Sequence, residues 1–282
     1  MRKIHYISIV AALALIAVLY WGVNTKPIKD ADAAKPMANA EASGAAPTAA
    51  SFDSIKLASI QLLPAHAVEE IKALEQQATE EQDNSQKASL YGSIAQLWQE
   101  HKQMPVAAYY YAEEGKLESS EKKLNFAGQL FLSIMHNLQD PSMQIWAAEQ
   151  GISCLERSLE INPDNDTTKI ALASGYVDGT AQPMKGIQLL LGITREEPDN
   201  VAANLMLGKM SIRSAQYQKA LGRFETVLKK EPNNTEAMYM LAVVYKELGR
   251  KEEAIELLEK CKKNVDNPEF TADIDAFIKT FK

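Results

Sequence analysis

The tightest constraint on this chain of 282 residues is a recurrence near its C-terminal end. Between Asp199 and Pro268 the same residue types return 34 positions later: Leu207 with Leu241, Ala220 with Ala254, and Phe224 with Leu258. A recurrence of that period marks a stack of repeated units, and a pair of helices with a turn is the expectation for each. Small residues at Gly208 and Ala220 let the two backbones approach, and the larger Leu207 and Phe224 fill the space beside that contact. Pro232 cannot continue a second helix and closes it before the next unit begins. One such hairpin cannot bury its apolar face alone, so stacked neighbours must supply the core.

The residues that carry this period resemble the tetratricopeptide repeat. The first unit has Leu207, Gly208, Ala220, Phe224 and Pro232, with Asn204 and Ser211 where the family places Trp and Tyr. The second has Leu241, Tyr245 and Ala254, with Met238 for the Trp and Ala242 for the Gly. The resemblance implies an all-α, right-handed solenoid of about five helix hairpins. Units are framed at 88–120, 121–163, 167–200, 201–234 and 235–268. Pro163, Pro198 and Pro232, which fall 35 and 34 apart, support the framing independently of the apolar pattern. Between the two halves of the unit 121–163 lie about eleven extra residues by the repeat period. The excess is expected around Ile134 to Ser142, in its first helix or its turn. Residues 52–87 read as an entry helical region with Val68, Ile71 and Leu74 at helical spacing. Residues 269–282, with Phe270, Ile274, Phe277 and Ile278, read as an amphipathic capping helix.

The N-terminal end is different in kind. Ile4 to Val23 is an apolar run behind Arg2 and Lys3, and it reaches roughly 30 Å as a helix, the depth of a bilayer core. Residues 1–23 are therefore expected to form one transmembrane anchor, with the N-terminus in the cytoplasm and the body exported. A cleaved signal peptide is the alternative and would leave a soluble periplasmic body. The bulky Leu19, Tyr20 and Trp21, standing where cleavage would fall, favour the anchor. Residues 24–51 are rich in Ala and Pro and read as a flexible linker. This layout resembles that of bacterial membrane-anchored tetratricopeptide proteins, which places the body on the periplasmic side of an inner membrane.

Several chemistries are excluded by composition and spacing. A net charge of -7 without a basic block argues against nucleic acid and against docking on an anionic membrane surface. His5, His66, His101 and His136 are out of helical reach of one another, so no metal site is expected. No nucleophile elbow, phosphate loop or dinucleotide fingerprint occurs. Cys154 and Cys261 are placed by the repeat frame about 30 Å apart, too far for a disulfide. The chain is expected to be no enzyme, with no cofactor and no small-molecule substrate.

The remaining candidate is a groove. In the tetratricopeptide family the first helices line the concave face, which here implies Leu205, Lys209, Ile212, Tyr239, Val243 and Lys246 as a peptide groove. Ala202 and Glu236 accompany them, with Asn125, Gln129, Ala171 and Gly175 upstream. Leu205 and Gly175 stand where the chaperone-binding members carry Lys and Asn, which argues against a heat-shock chaperone tail. The expected function is a membrane-tethered scaffold that holds a peptide or protein partner in this groove. Alternatives are a periplasmic chaperone-like or cytochrome c maturation-type factor, or an inner face with no dedicated ligand.

Overall fold

In the computed structural model the described residues are 47–265 and 267–281, and among them there is no strand. The expected anchor, residues 1–23, and all but the last five positions of the expected linker lie outside the described residues. Among the described residues no helix is long and apolar enough to cross a membrane.

Thirteen helices run through this region. Helices α1 (Phe52–Ile60) and α2 (Ala65–Glu80) precede five hairpins. These are α3 (Asn84–Glu100) with α4 (Met104–Leu117), α5 (Glu121–Met135) with α6 (Pro141–Ile161), and α7 (Asp166–Gly179) with α8 (Pro183–Glu196). They continue with α9 (Val201–Arg213) and α10 (Tyr217–Lys230), then α11 (Thr235–Glu247) and α12 (Lys251–Lys263), and α13 (Pro268–Lys279) closes the array. Each first helix packs on its own second helix, and each second helix packs on the next first helix.

Local chemistry punctuates the array at the same places in each unit. Every first helix opens on a short polar side chain that accepts a free backbone N–H: Asp83, Ser120, Asn165, Asn200 and Asn234. Three of the turns inside hairpins close identically. Lys102, Ala215 and Gly249 take φ of 60°, 54° and 76°, and the next amide reaches back to Trp98, Ser211 and Tyr245 carbonyls at 2.9, 2.8 and 2.8 Å. This is the left-handed helix ending that glycine adopts without strain and that Lys102 and Ala215 adopt at a cost.

The core runs along the stack, built from both helices of each hairpin and the first helix of the next. Leu207, Gly208, Ala220, Phe224, Leu241 and Ala254 are all buried. Close approach is nevertheless achieved differently from the expectation at Gly208. A Cβ there would lie 2.6 Å from the Phe224 ring, so the missing side chain makes room for that ring. In the third hairpin Gly186 serves backbone contact directly, since a Cβ would lie 2.5 Å from the Ala173 carbonyl oxygen.

The extra length of the second hairpin falls only partly where expected. The turn 136–140 holds five residues against three at 214–216, and the larger share lies in α6. Helix α5 ends at Met135, and most of the additional residues extend α6 to 21 residues, against 13 in α12. Asp140 caps the lengthened end by accepting from the Ser142 amide at 2.8 Å. That end carries the entering chain. The Ala50 amide donates to the Ser142 carbonyl at 3.0 Å, and the Phe52 ring stacks on Tyr109 with centroids 3.5 Å apart. Ala49 and Ala50, which the sequence assigns to the linker, thus pack against the body.

Candidate functional site

The six residues expected to line a groove sit on two neighbouring first helices, α9 and α11. Most of them are engaged by the next helix along. Leu205 and Ile212 are half-buried against the cluster of Ala220, Phe224, Val227, Ala237, Leu241 and Val244. Lys209 forms an ion pair with Glu236 of α11. Tyr239 meets the Phe277 ring of α13 with centroids 5.7 Å apart. Lys246 lies over Phe277 and Phe281 at 4.8 and 5.4 Å and donates to Thr280 Oγ1 at 2.9 Å. Val243 is half-buried, and Ala202 is exposed at the start of α9. Of the structural residues, Tyr245 is half-buried beneath the Arg250 guanidinium, 4.3 Å from its centroid. Pro232 is exposed just beyond the end of α10. Upstream, Gly175 is turned inward, since a Cβ on it would meet Ile152 at 3.0 Å and Leu132 at 3.2 Å. Ala171 is half-buried against the Leu132, Leu155 and Leu172 cluster.

A regularity emerges when the polar groups of the first helices are followed in order. Asn125 of α5 donates to Thr168 Oγ1 of α7 at 2.6 Å, and Gln129 donates to Asn125 in turn. Asp178 of α7 accepts from Arg213 of α9 at 2.8 Å. Lys209 of α9 pairs with Glu236 of α11, and Lys246 of α11 with Thr280 beside α13. Each junction between successive first helices from α5 onward is tied by a side-chain bridge. Such exposed pairs add little stability singly, but they satisfy the polar groups a partner would otherwise find free.

The junction between α3 and α5 is the exception among the described residues. Among the described residues no side-chain hydrogen bond or ion pair joins these two helices. Phe126 of α5 stands there at 52% exposure. Its ring meets Tyr111 of α4 edge-on, with centroids 5.3 Å apart, and Tyr111 donates to Gln99 of α3 at 2.9 Å. Burial, and then the Glu114 carboxylate, push the Tyr111 phenol above its ordinary pKa. A recess of about 700 Å³ lies beside Phe126 along α5, bordered by Glu121, Lys122, Gln129, Leu130 and Ser133 and by Asn165, which caps α7. The sequence reading passed over Phe126. Its phase was the available signal, because the buried positions of α5 are Leu124, Ala127, Gly128, Phe131, Leu132 and Met135, and Phe126 falls off that stripe.

The titratable candidates are arranged for packing. Cys154 and Cys261 are free and buried, and burial pushes the Cys154 thiol up to about 11. His66 and His101, far apart in sequence, come together with ring centroids 6.4 Å apart. Among the described residues no group of three or more His, Cys, Asp or Glu side chains is placed to hold a metal ion.

Comparison with known proteins follows the geometry. Residues 211–272 match the family model of the tetratricopeptide repeat. The structure of a tetratricopeptide repeat protein from Parabacteroides merdae is similar with a TM-score of 0.54 and 14% identity, covering 81% of this chain and 86% of that one. Looser likeness is found to YrrB, described as a tetratricopeptide repeat protein with an unusual peptide-binding site, at 0.47 and 18% over 71% and 97% of the two chains. MamA of Desulfovibrio magneticus gives 0.49 and 15% over 63% and 94%. No curated protein matches the chain. The Parabacteroides likeness carries the fold, a solenoid of helix hairpins.

Proposed function

We propose that this tetratricopeptide-repeat protein is a non-catalytic interaction scaffold that holds a segment of a protein partner on its first-helix face, at the α3–α5 junction. The carrying observation is Phe126, a large apolar ring left 52% exposed at the junction of that face that is untied among the described residues. A partner side chain laid on Phe126 and Leu130 would bury apolar surface, while Ser133 offers a hydrogen bond to its backbone. The C-terminal positions Lys209, Tyr239 and Lys246 suit this role less, because their partners within the chain are already in place.

The same proposal keeps the body near a membrane, on the exported side, held by the apolar run Ile4 to Val23. Tethering raises the effective concentration of the surface for partners confined there, without any new contact. The test is in-cell photocrosslinking of the full chain from a reactive residue at Gln129, with one at Tyr239 for comparison. Gln129 is expected to capture a partner, and Phe126→Ala to lower that yield while leaving the melting temperature almost unchanged. Capture from Tyr239 that exceeds Gln129 and ignores Phe126→Ala would defeat the proposal.

A further inference from the structure

The α9–α10 hairpin carries Asn204 and Ser211 at the two positions where the tetratricopeptide pattern places Trp and Tyr. Both border one cleft of about 500 Å³ between α8, α9 and α10. Ile187 and Leu191 of α8, with Leu207 and Met210 of α9, form its apolar walls. Leu191 is 39% exposed there, an aliphatic side chain with no ring to cover it.

The polar end of the cleft is fixed in place. Asn204, 1% exposed, donates from Nδ2 to the Pro198 and Asn200 carbonyls at 2.9 and 2.8 Å. Its Oδ1 therefore points away and accepts from Arg223 Nη1 at 2.9 Å. A guanidinium has five N–H donors, so this bond orients Arg223 and leaves most of them over. Arg223 is half-buried, and among the described residues no carboxylate pairs with it. Burial alone draws its pKa down, with no neighbouring charge opposing. The other charged residue bordering the cleft is Lys219, and no acidic side chain borders it among the described residues. A partly desolvated cation without an anion beside it is costly.

We propose that this cleft binds a small organic carboxylate with a flat apolar body, its ring replacing the missing aromatic side chain and its carboxylate meeting the free donors of Arg223. The volume lies in the range of small-ligand sites, about 300–1,000 Å³. The ligand is held and not turned over, and the site is separate from the Phe126 surface.

Indole-3-acetate is the probe, titrated calorimetrically into the full chain, with indole-3-acetamide and acetate as controls. The acid is expected to bind saturably, the neutral amide about tenfold or more weakly, and acetate not at all. Arg223→Gln should bring the acid down to the level of the amide. Gly222→Phe supplies a variant that leaves Arg223 and Asn204 intact. Gly222 borders the cleft, and a Cβ there meets nothing within 4 Å, so the ring should block the mouth of a folded protein. Circular dichroism verifies the fold of both variants. Equal binding of acid and amide, or undiminished binding by Gly222→Phe, overturns the proposal. So does binding restricted to a peptide ending in Trp with a free carboxylate, which would reassign the cleft to a chain end.

Discussion

Replacing Gly186 with Ala isolates the backbone contact that sets the spacing of α7 and α8. An added Cβ would lie 2.5 Å from the Ala173 carbonyl oxygen and 2.8 Å from Val177 Cγ2. Carbon–oxygen contacts become comfortable at about 3.3 Å, so the overlap is about 0.8 Å. The obstructing atom belongs to the α7 backbone and cannot rotate aside, so the helices must part. Overpacking of this kind costs about 1–3 kcal/mol. Alanine returns about 1 kcal/mol of helix propensity, which leaves a net loss of up to about 2 kcal/mol. For a body of this size that lowers Tm by up to about 8 °C. Gly222→Ala is the control, because nothing lies within 4 Å of its Cβ. It keeps the propensity gain without the overlap and should raise Tm by about 2–4 °C. Thermal melts and urea titrations of both variants, followed by circular dichroism, give the two shifts. Equal stabilisation by the two substitutions would refute the reasoning, since it would mean that α7 and α8 are not held at the distance described.

Ala215 occupies the left-handed turn position that Gly249 fills in the next unit, so Ala215→Gly should raise stability by up to about 1 kcal/mol in urea titrations. Lys246→Ala removes the cation from the Phe277 and Phe281 rings and the bond to Thr280, and hydrogen exchange should quicken in α13 while α9 and α10 stay as protected as before. Burial, followed by the hydrogen bond to Glu156, pushes the Tyr176 phenol up to about 12. Its folded pKa lies above the ordinary value near 10, so its contribution to stability is whole below about pH 10 and is lost as pH rises through about 12. The difference in urea midpoint between the native chain and Tyr176→Phe should accordingly shrink over that window.

Architecture was written in residue spacing to an unusual degree. Leu207 with Leu241 and Ala220 with Ala254 reveal the hairpin because a one-dimensional stack repeats the same burial in every unit. The candidate surface was less legible, because position within a repeat says which way a side chain leaves its helix but not what the next helix brings against it. Lys209 and Glu236 both belong to the expected groove set, and only coordinates show them neutralising each other. Tyr239 and Lys246 were lost to the groove through Phe277 and Phe281, whose reach depends on how α13 docks. The lengthening of α6 was decipherable in principle. Asp140 followed by Pro141 is a helix-start signal, and it puts most of the extra residues after the turn.

The seam between Ala50 and Ser142 has a mechanical consequence. A pull arriving through the chain at Pro47 is first met where Ala50 is hydrogen-bonded to the start of α6 and Phe52 is stacked on α4. The load therefore enters at the flank of the first two hairpins, against a ring stack and a long helix. A strand peeled from the end of a stack unzips one unit at a time, whereas one bonded across two units must shear both together. Tension on the N-terminal segment would thus be resisted by α4 and α6 before any hairpin opens.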